Sequence, residues 1–98
     1  MKPDSFNVGN EEKFGGWSPM APVKEEDLKI FNDALDGLKG VTYVPESVSK
    51  QIVAGINYRF LCSATSITDP HTHYQAMVGI FFDAKTQRVL LTDITRID

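Results

Sequence analysis

The stretch VKEEDLKIFNDALDGLKG, residues 23–40, sits just before a change in hydrophobic period, and that change decides the fold. Within it Leu28, Phe31, Leu35 and Leu38 fall at steps of three, four and three, with Ala34 beside them. This spacing lays one apolar stripe along a helix of about four turns. Glu25, Glu26 and Asp27 crowd the first turn, where negative charge suits the helix dipole, and read as solvated helix-start charge. Pro22 precedes the helix, and Gly37 and Gly40 mark its end. No other segment carries a convincing helical pattern.

After Gly40 the period drops from about 3.6 to two. Ile56, Tyr58, Phe60 and Cys62 alternate with Asn57, Arg59, Leu61 and Ser63, giving a strand with one greasy face. Cys62 is in phase with that face, so it reads as a buried, inert thiol. Upstream, residues 41–44 and 48–53 predict another strand, with Pro45 marking an irregularity or an exposed edge. Residues 69–73, DPHTH, read as a turn. Residues 74–82 and 88–97 predict two more strands, joined by a short hairpin over Asp83–Gln87. Four consecutive strands with short connections form an antiparallel meander, and one amphipathic helix covers one of its faces. The expected architecture is therefore α+β: one amphipathic helix packed across a four-stranded antiparallel sheet, or five-stranded if the N-terminal arm adds a strand.

Composition narrows the function. The chain has 98 residues, enough for one core, and a net charge of −3. No basic stripe is present, which argues against a nucleic-acid partner. No apolar run approaches the roughly 18 residues of a membrane span, so no membrane partner is expected. The one cysteine permits no internal disulfide, and the fold must stand on packing. A lone thiol and the lack of an apolar leader favour the cytoplasm, or secretion if a leader has been removed. The arm before the helix is rich in Gly and Pro but carries Phe14 and Trp17, which a purely solvated linker would not need. Neither catalysis nor a cofactor is expected: Cys62 belongs to the core and no Ser, His and acid share a recognisable motif. His71 and His73, with Asp69 nearby, have metal-ligand chemistry, but they read better as exposed turn residues.

QIVAG, Gln51-Ile52-Val53-Ala54-Gly55, falls at the first strand-to-strand connection. Gly55 supplies the positive φ that a tight hairpin often needs, and small Ala54 keeps the tip narrow. The second hairpin loop, residues 83–88, should lie at the same end of the sheet, and the 69–73 turn at the opposite end.

Gly15-Gly16 before the helix, the single helix, and the Gln-x-Val-x-Gly pattern at Gln51, Val53 and Gly55 together resemble the cystatin superfamily of cysteine-protease inhibitors. Without disulfides the chain looks more like the stefin and plant-type branches. The likeness runs from about Gly15 to the C-terminus, which implies a cystatin-like domain over 15–98 preceded by a flexible extension, 1–14. It implies inhibition without chemistry: a reversible, competitive block of papain-like, cathepsin-type proteases. On that model three backbone segments enter the cleft. The backbone around Gly15 and Gly16, with Trp17 next to it, runs along the non-primed side, Gln51 to Gly55 cover the catalytic pair, and the Ala84–Gln87 loop, with Lys85, Thr86 and Gln87, fills the primed side. The protein would act as a monomer, although the long QIVAG hairpin could exchange between two copies. A bulky residue at Gly55 is expected to weaken inhibition and leave the fold intact.

The sequence departs from the family pattern in one place. Many members carry Pro-Trp in the second hairpin, where this chain has Ala84-Lys85-Thr86-Gln87. The departure motivates an alternative, a cystatin-like protein-binding module without protease inhibition. Trp17 could serve as an aromatic anchor in its place, or pack on its own sheet. A third reading, a ligand-binding protein or enzyme with a pocket between helix and sheet, finds no converging polar groups on the expected core faces.

Overall fold

The computed structural model describes residues 15–67 and 72–97. The expected extension, 1–14, and Asp69, Pro70 and His71 of the expected turn lie outside the described residues. The elements run β1 (Ala21–Pro22), α1 (Glu25–Leu35), β2 (Val41–Val53), β3 (Gly55–Ser66), β4 (His73–Asp83) and β5 (Arg88–Arg96). They build a five-stranded sheet in the order β1-β2-β3-β4-β5, each neighbouring pair antiparallel. The arm supplies the fifth strand, only two residues long. No helix among the described residues is long and apolar enough to cross a membrane.

Pro45 interrupts β2 as its missing N–H dictates. Pro45 pairs with Cys62 and Ser47 with Leu61, leaving Glu46 as the extra residue of a bulge. A second bulge, between Gly79 and Ile80 of β4, leaves Thr92 of β5 as the extra residue.

The helix is shorter than its stripe predicts. It spans 11 residues and stops at Leu35, because Asp36 leaves helical geometry at ψ 129° and Gly37 follows at positive φ. Leu38 is therefore outside the helix and exposed, and Leu28 lies on its margin, also exposed. The buried stripe is centred instead on Phe31 and Asp27, flanked by Ile30, Ala34 and Leu35. Phe31 meets Phe60 edge-on with centroids 4.9 Å apart, and Tyr58 stacks on Phe60 at 5.7 Å. Val48, Cys62, Val78 and Ile80 complete the core on the same sheet face. Truncating Phe31 to Ala would cost about 3–5 kcal/mol.

Asp27 corrects a second expectation. It is not solvated: it is 1% exposed. Its Oδ2 accepts the Lys24 backbone N–H at 3.0 Å, and its Oδ1 lies 2.8 Å from Lys50 Nζ. The carboxylate caps the helix start and is neutralised by a lysine from β2. Buried acids need such pairing to stay in the interior. The helix face of the sheet thus does carry converging polar groups, but they answer one another.

A helix of this length spans about 16 Å, whereas a 13-residue strand such as β2 runs about 43 Å. The helix therefore covers only part of its sheet face, and both ends of the sheet extend beyond it.

Candidate functional site

The β2–β3 connection is as tight as a hairpin allows: Val53 pairs with Gly55, and Ala54 alone makes the tip. Gly55 has φ 141°, a left-handed value that L side chains rarely adopt. A Cβ there would also stand 2.2 Å from the Phe82 carbonyl oxygen and 3.0 Å from the Phe81 ring. Gly55 is therefore required twice, by its dihedral and by the approach of β4. Ala54 is exposed, Val53 is 37% exposed, and Gln51 and Ile52 are half-buried. A narrow apolar tip results, held from behind by the sheet.

The arm lies alongside β2 by backbone pairing. Gly15 N–H donates to Ile52 O at 3.2 Å, Ser18 N–H donates to Lys50 O at 2.8 Å, and Trp17 bridges Gln51. Ser18 Oγ accepts the Lys50 N–H at 2.9 Å, and Ser49 Oγ donates to Ser18 O. Gln51 reaches across to the arm, Nε2 donating to Gly15 O at 2.8 Å, while Asn57 Nδ2 donates to Gln51 Oε1 at 2.8 Å. Trp17 packs on its own sheet: the Arg59 guanidinium stacks over its ring, 3.8 Å from the centroid. The indole remains 37% exposed, so one part of the residue is committed and another faces outward.

The second hairpin, Ala84–Gln87, stands at the same end of the sheet. Ile56 beside the first tip pairs with Phe82, and Phe82 pairs with Val89. Asp83 organises the loop: Oδ1 accepts the N–H groups of Lys85 at 2.9 Å and Thr86 at 3.4 Å, and its carbonyl accepts that of Gln87 at 2.8 Å. Gln87 takes φ 62° and donates its amide to Ala84 O at 3.2 Å. Ala84 to Gln87 are exposed, and none is aromatic.

Every sequence-derived site residue therefore lies on one rim, in the order arm, first tip, second loop. Direct bonds join Gly15 and Trp17 of the arm to Gln51 and Ile52, with Gly16 between them in the chain and the Val53–Gly55 tip just beyond, and Lys85, Thr86 and Gln87 follow one hairpin further along. Sequence reasoning missed Ser18, Asn57 and Arg59, which fasten the arm. Asn57 and Arg59 were visible as the polar phase of a strand, but the arm they serve lies more than 30 residues away in the chain, reached by Asn57 through Gln51 and by Arg59 directly at Trp17.

Other chemistry finds less support. His73 Nδ1 lies 3.1 Å from Thr65 Oγ1, and among the described residues no three His, Cys, Asp or Glu side chains gather into a metal-sized cluster. Cys62 is fully buried, and burial pushes its thiol up to about 12, with the Glu46 charge adding to the rise. Phe31, Phe60 and Cys62 fill the centre of the space between helix and sheet. At its edge an open groove of about 390 Å³ runs between the two, with Ile30, Ile56, Phe82 and Val89 on its apolar walls and Glu26, Lys29 and Asp33 of the helix on its charged one. At the far end of the sheet a shallow basin of about 540 Å³ is walled by Tyr43, Tyr74, Ile94 and Arg96. Burial there raises the Tyr43 phenol, as does its hydrogen bond with Tyr74, so it stays protonated.

No family model, curated protein or solved structure matches the chain.

Proposed function

We propose that this chain is a cystatin-like, reversible and competitive protein inhibitor of papain-like cysteine proteases, acting by occlusion and not by chemistry. The observation that carries the reading is the single rim on which Gly15–Trp17, the Val53–Gly55 tip and the Ala84–Gln87 loop stand side by side. A protease groove is a long cleft with its nucleophile at the floor. A narrow tip such as Ala54 can reach that floor, while its neighbours occupy the two flanks. The tip cannot be cut as a substrate would be, because its peptide groups belong to a closed hairpin. The hairpin and the pinned arm are ordered before contact, so little conformational freedom remains to be lost. An interface of standard size, about 1,600 Å² in total, is the expectation.

Val53 and Ala54 are the probes of choice, because they are exposed and a change there leaves the core alone. Titration of papain and a cathepsin with gel-filtered monomer should give competitive inhibition. Val53→Asp should weaken it by tenfold or more, roughly the cost of a buried unpaired charge at an interface centre, with the melting temperature unchanged. Native protein without effect at micromolar dose, or a Val53→Asp variant as potent as native, refutes the proposal.

One observation favours a second reading. The loop over Ala84–Gln87 is wholly polar apart from Ala84 and offers no large anchor. A cystatin-like binding module with a non-protease partner would use the same rim. Capture of such a partner that Val53→Asp abolishes, with papain unaffected, would decide for it.

A further inference from the structure

We infer that Asn57 is a positioning residue which, through the Gln51 side-chain amide, locks Gly15 and the arm against the first hairpin. Its functional meaning rests on the proposed wedge, but the lock is a property of the free chain.

Asn57 on β3 stands directly opposite Gln51 on β2. Its Nδ2 donates to Gln51 Oε1 at 2.8 Å, and with that oxygen occupied the Gln51 nitrogen faces the other way and donates to the Gly15 carbonyl at 2.8 Å. The Gly15 N–H is already bound to Ile52 O. Both backbone groups of Gly15 are thus held, one of them through a chain that begins at Asn57. Gly15 contributes nothing of its own. It has no side chain, sits at φ 79°, and has open space where a Cβ would be. Its placement depends on what reaches for it.

Donation is the essential property of Asn57. A residue at 57 that accepts instead turns the Gln51 amide over and sets its oxygen against the Gly15 carbonyl oxygen. The Arg59–Trp17 stack pins the arm two residues further on. With two pins the arm is ordered before a partner arrives, and Gln51 spends its amide inside the molecule. Contact at the tip then falls to Val53, Ala54 and the backbone.

The test uses the full-length, isotope-labelled chain and reads amide hydrogen exchange by NMR at Gly15 in the arm and Phe60 in the core. Asn57→Ala and Gln51→Ala should each speed exchange at Gly15 about fivefold, the loss of one net hydrogen bond. Asn57→Asp, close to the same size but unable to donate, should speed it at least as much. The double variant should exceed neither single, because the two residues act in one chain. Phe60 should keep its protection throughout. Unchanged exchange at Gly15 in both Asn57 variants overturns the inference. So do additive effects in the double variant, or Phe60 loosening in step with Gly15 in Asn57→Asp. Papain affinity measured on the same variants should fall by a similar factor. A native chain that fails to inhibit papain removes the wedge, whereas the exchange data still decide the lock.

Discussion

Gly55→Ala tests whether the hairpin tip is built as described, and its cost follows from two separate features. An alanine at φ 141° occupies a region that is essentially reserved for glycine, at about 1–3 kcal/mol. The added methyl would lie 2.2 Å from the Phe82 carbonyl oxygen, closer than any real contact, so β3 and β4 must part locally. Overpacking of that kind costs about 1–3 kcal/mol. Together the two amount to roughly 4 kcal/mol. For a domain of 98 residues that lowers the melting temperature by roughly 20 °C. Phe81→Leu added to the variant should recover little, because the nearest atom is backbone and the ring only the second neighbour. Thermal unfolding by circular dichroism measures both. A Gly55→Ala protein melting within about 3 °C of native would refute the reasoning, and so would rescue by Phe81→Leu. The geometry at Gly55 also corrects the sequence-based expectation that a bulky residue at 55 leaves the fold intact. The chain's own strand fills that space, so lost inhibition in such a variant would not report on the protease contact.

The remaining predictions concern the interior. Lys50→Met strands the buried Asp27 carboxylate, whose partner nitrogen lies 2.8 Å away, and should cost about 2–3 kcal/mol in urea unfolding, toward the low end for a buried pair because the lysine is partly exposed. Lys50→Arg should retain most of the stability. Cys62 should resist thiol reagents at pH 8 in the folded protein and react at once in denaturant, because burial lifts its thiol from 9.0 to about 12. A thiol raised on folding stabilises fully below its unfolded value, and that contribution is lost as pH climbs. Stability should therefore hold up to about pH 9 and decline towards pH 12. Cys62→Ala should flatten the first part of that decline. The part that survives begins above pH 10, where the raised Tyr58 and Tyr43 phenols act in the same direction.

The fold was legible where the information is local. The alternation from Ile56 to Cys62 located the buried face of β3, and Pro45 located the bulge, because each signal resides within a few residues of its effect. The helix was legible in existence but not in extent. Gly37 and Gly40 are both end signals, and because Leu38 fits the helical spacing the later one fits the pattern, yet Asp36-Gly37 ends the helix first. Asp27 was misread for a related reason. Its helix-start position explains a solvated acid equally well, and only Lys50, 23 residues away on another element, makes burial affordable. The rim was legible at its tips, since the number of strand reversals alone sets which loops share an end. Its fastenings were not. The Gly15–Gln51–Asn57 chain and the Trp17–Arg59 stack depend on the register of the arm against β2, and no period in the arm encodes that register.

The difference between the two hairpins bears on how such a rim would bind. Both loops are internally held, the first by its single-residue turn and the second by the Asp83 side chain and carbonyl gathering three N–H groups. Such order alone gives no affinity; apolar surface removed from water does. Val53 and Ala54 offer that surface at the first tip, whereas Lys85, Thr86 and Gln87 offer groups that water already satisfies. Binding free energy should therefore be concentrated on the arm side of the rim. The exposed part of Trp17 lies there, fixed by Arg59 one strand from the tip. On the proposed reading, a partner that closes over the first tip and the arm would gain from both, and Lys85 of the second loop would disfavour a partner surface that is positively charged opposite it.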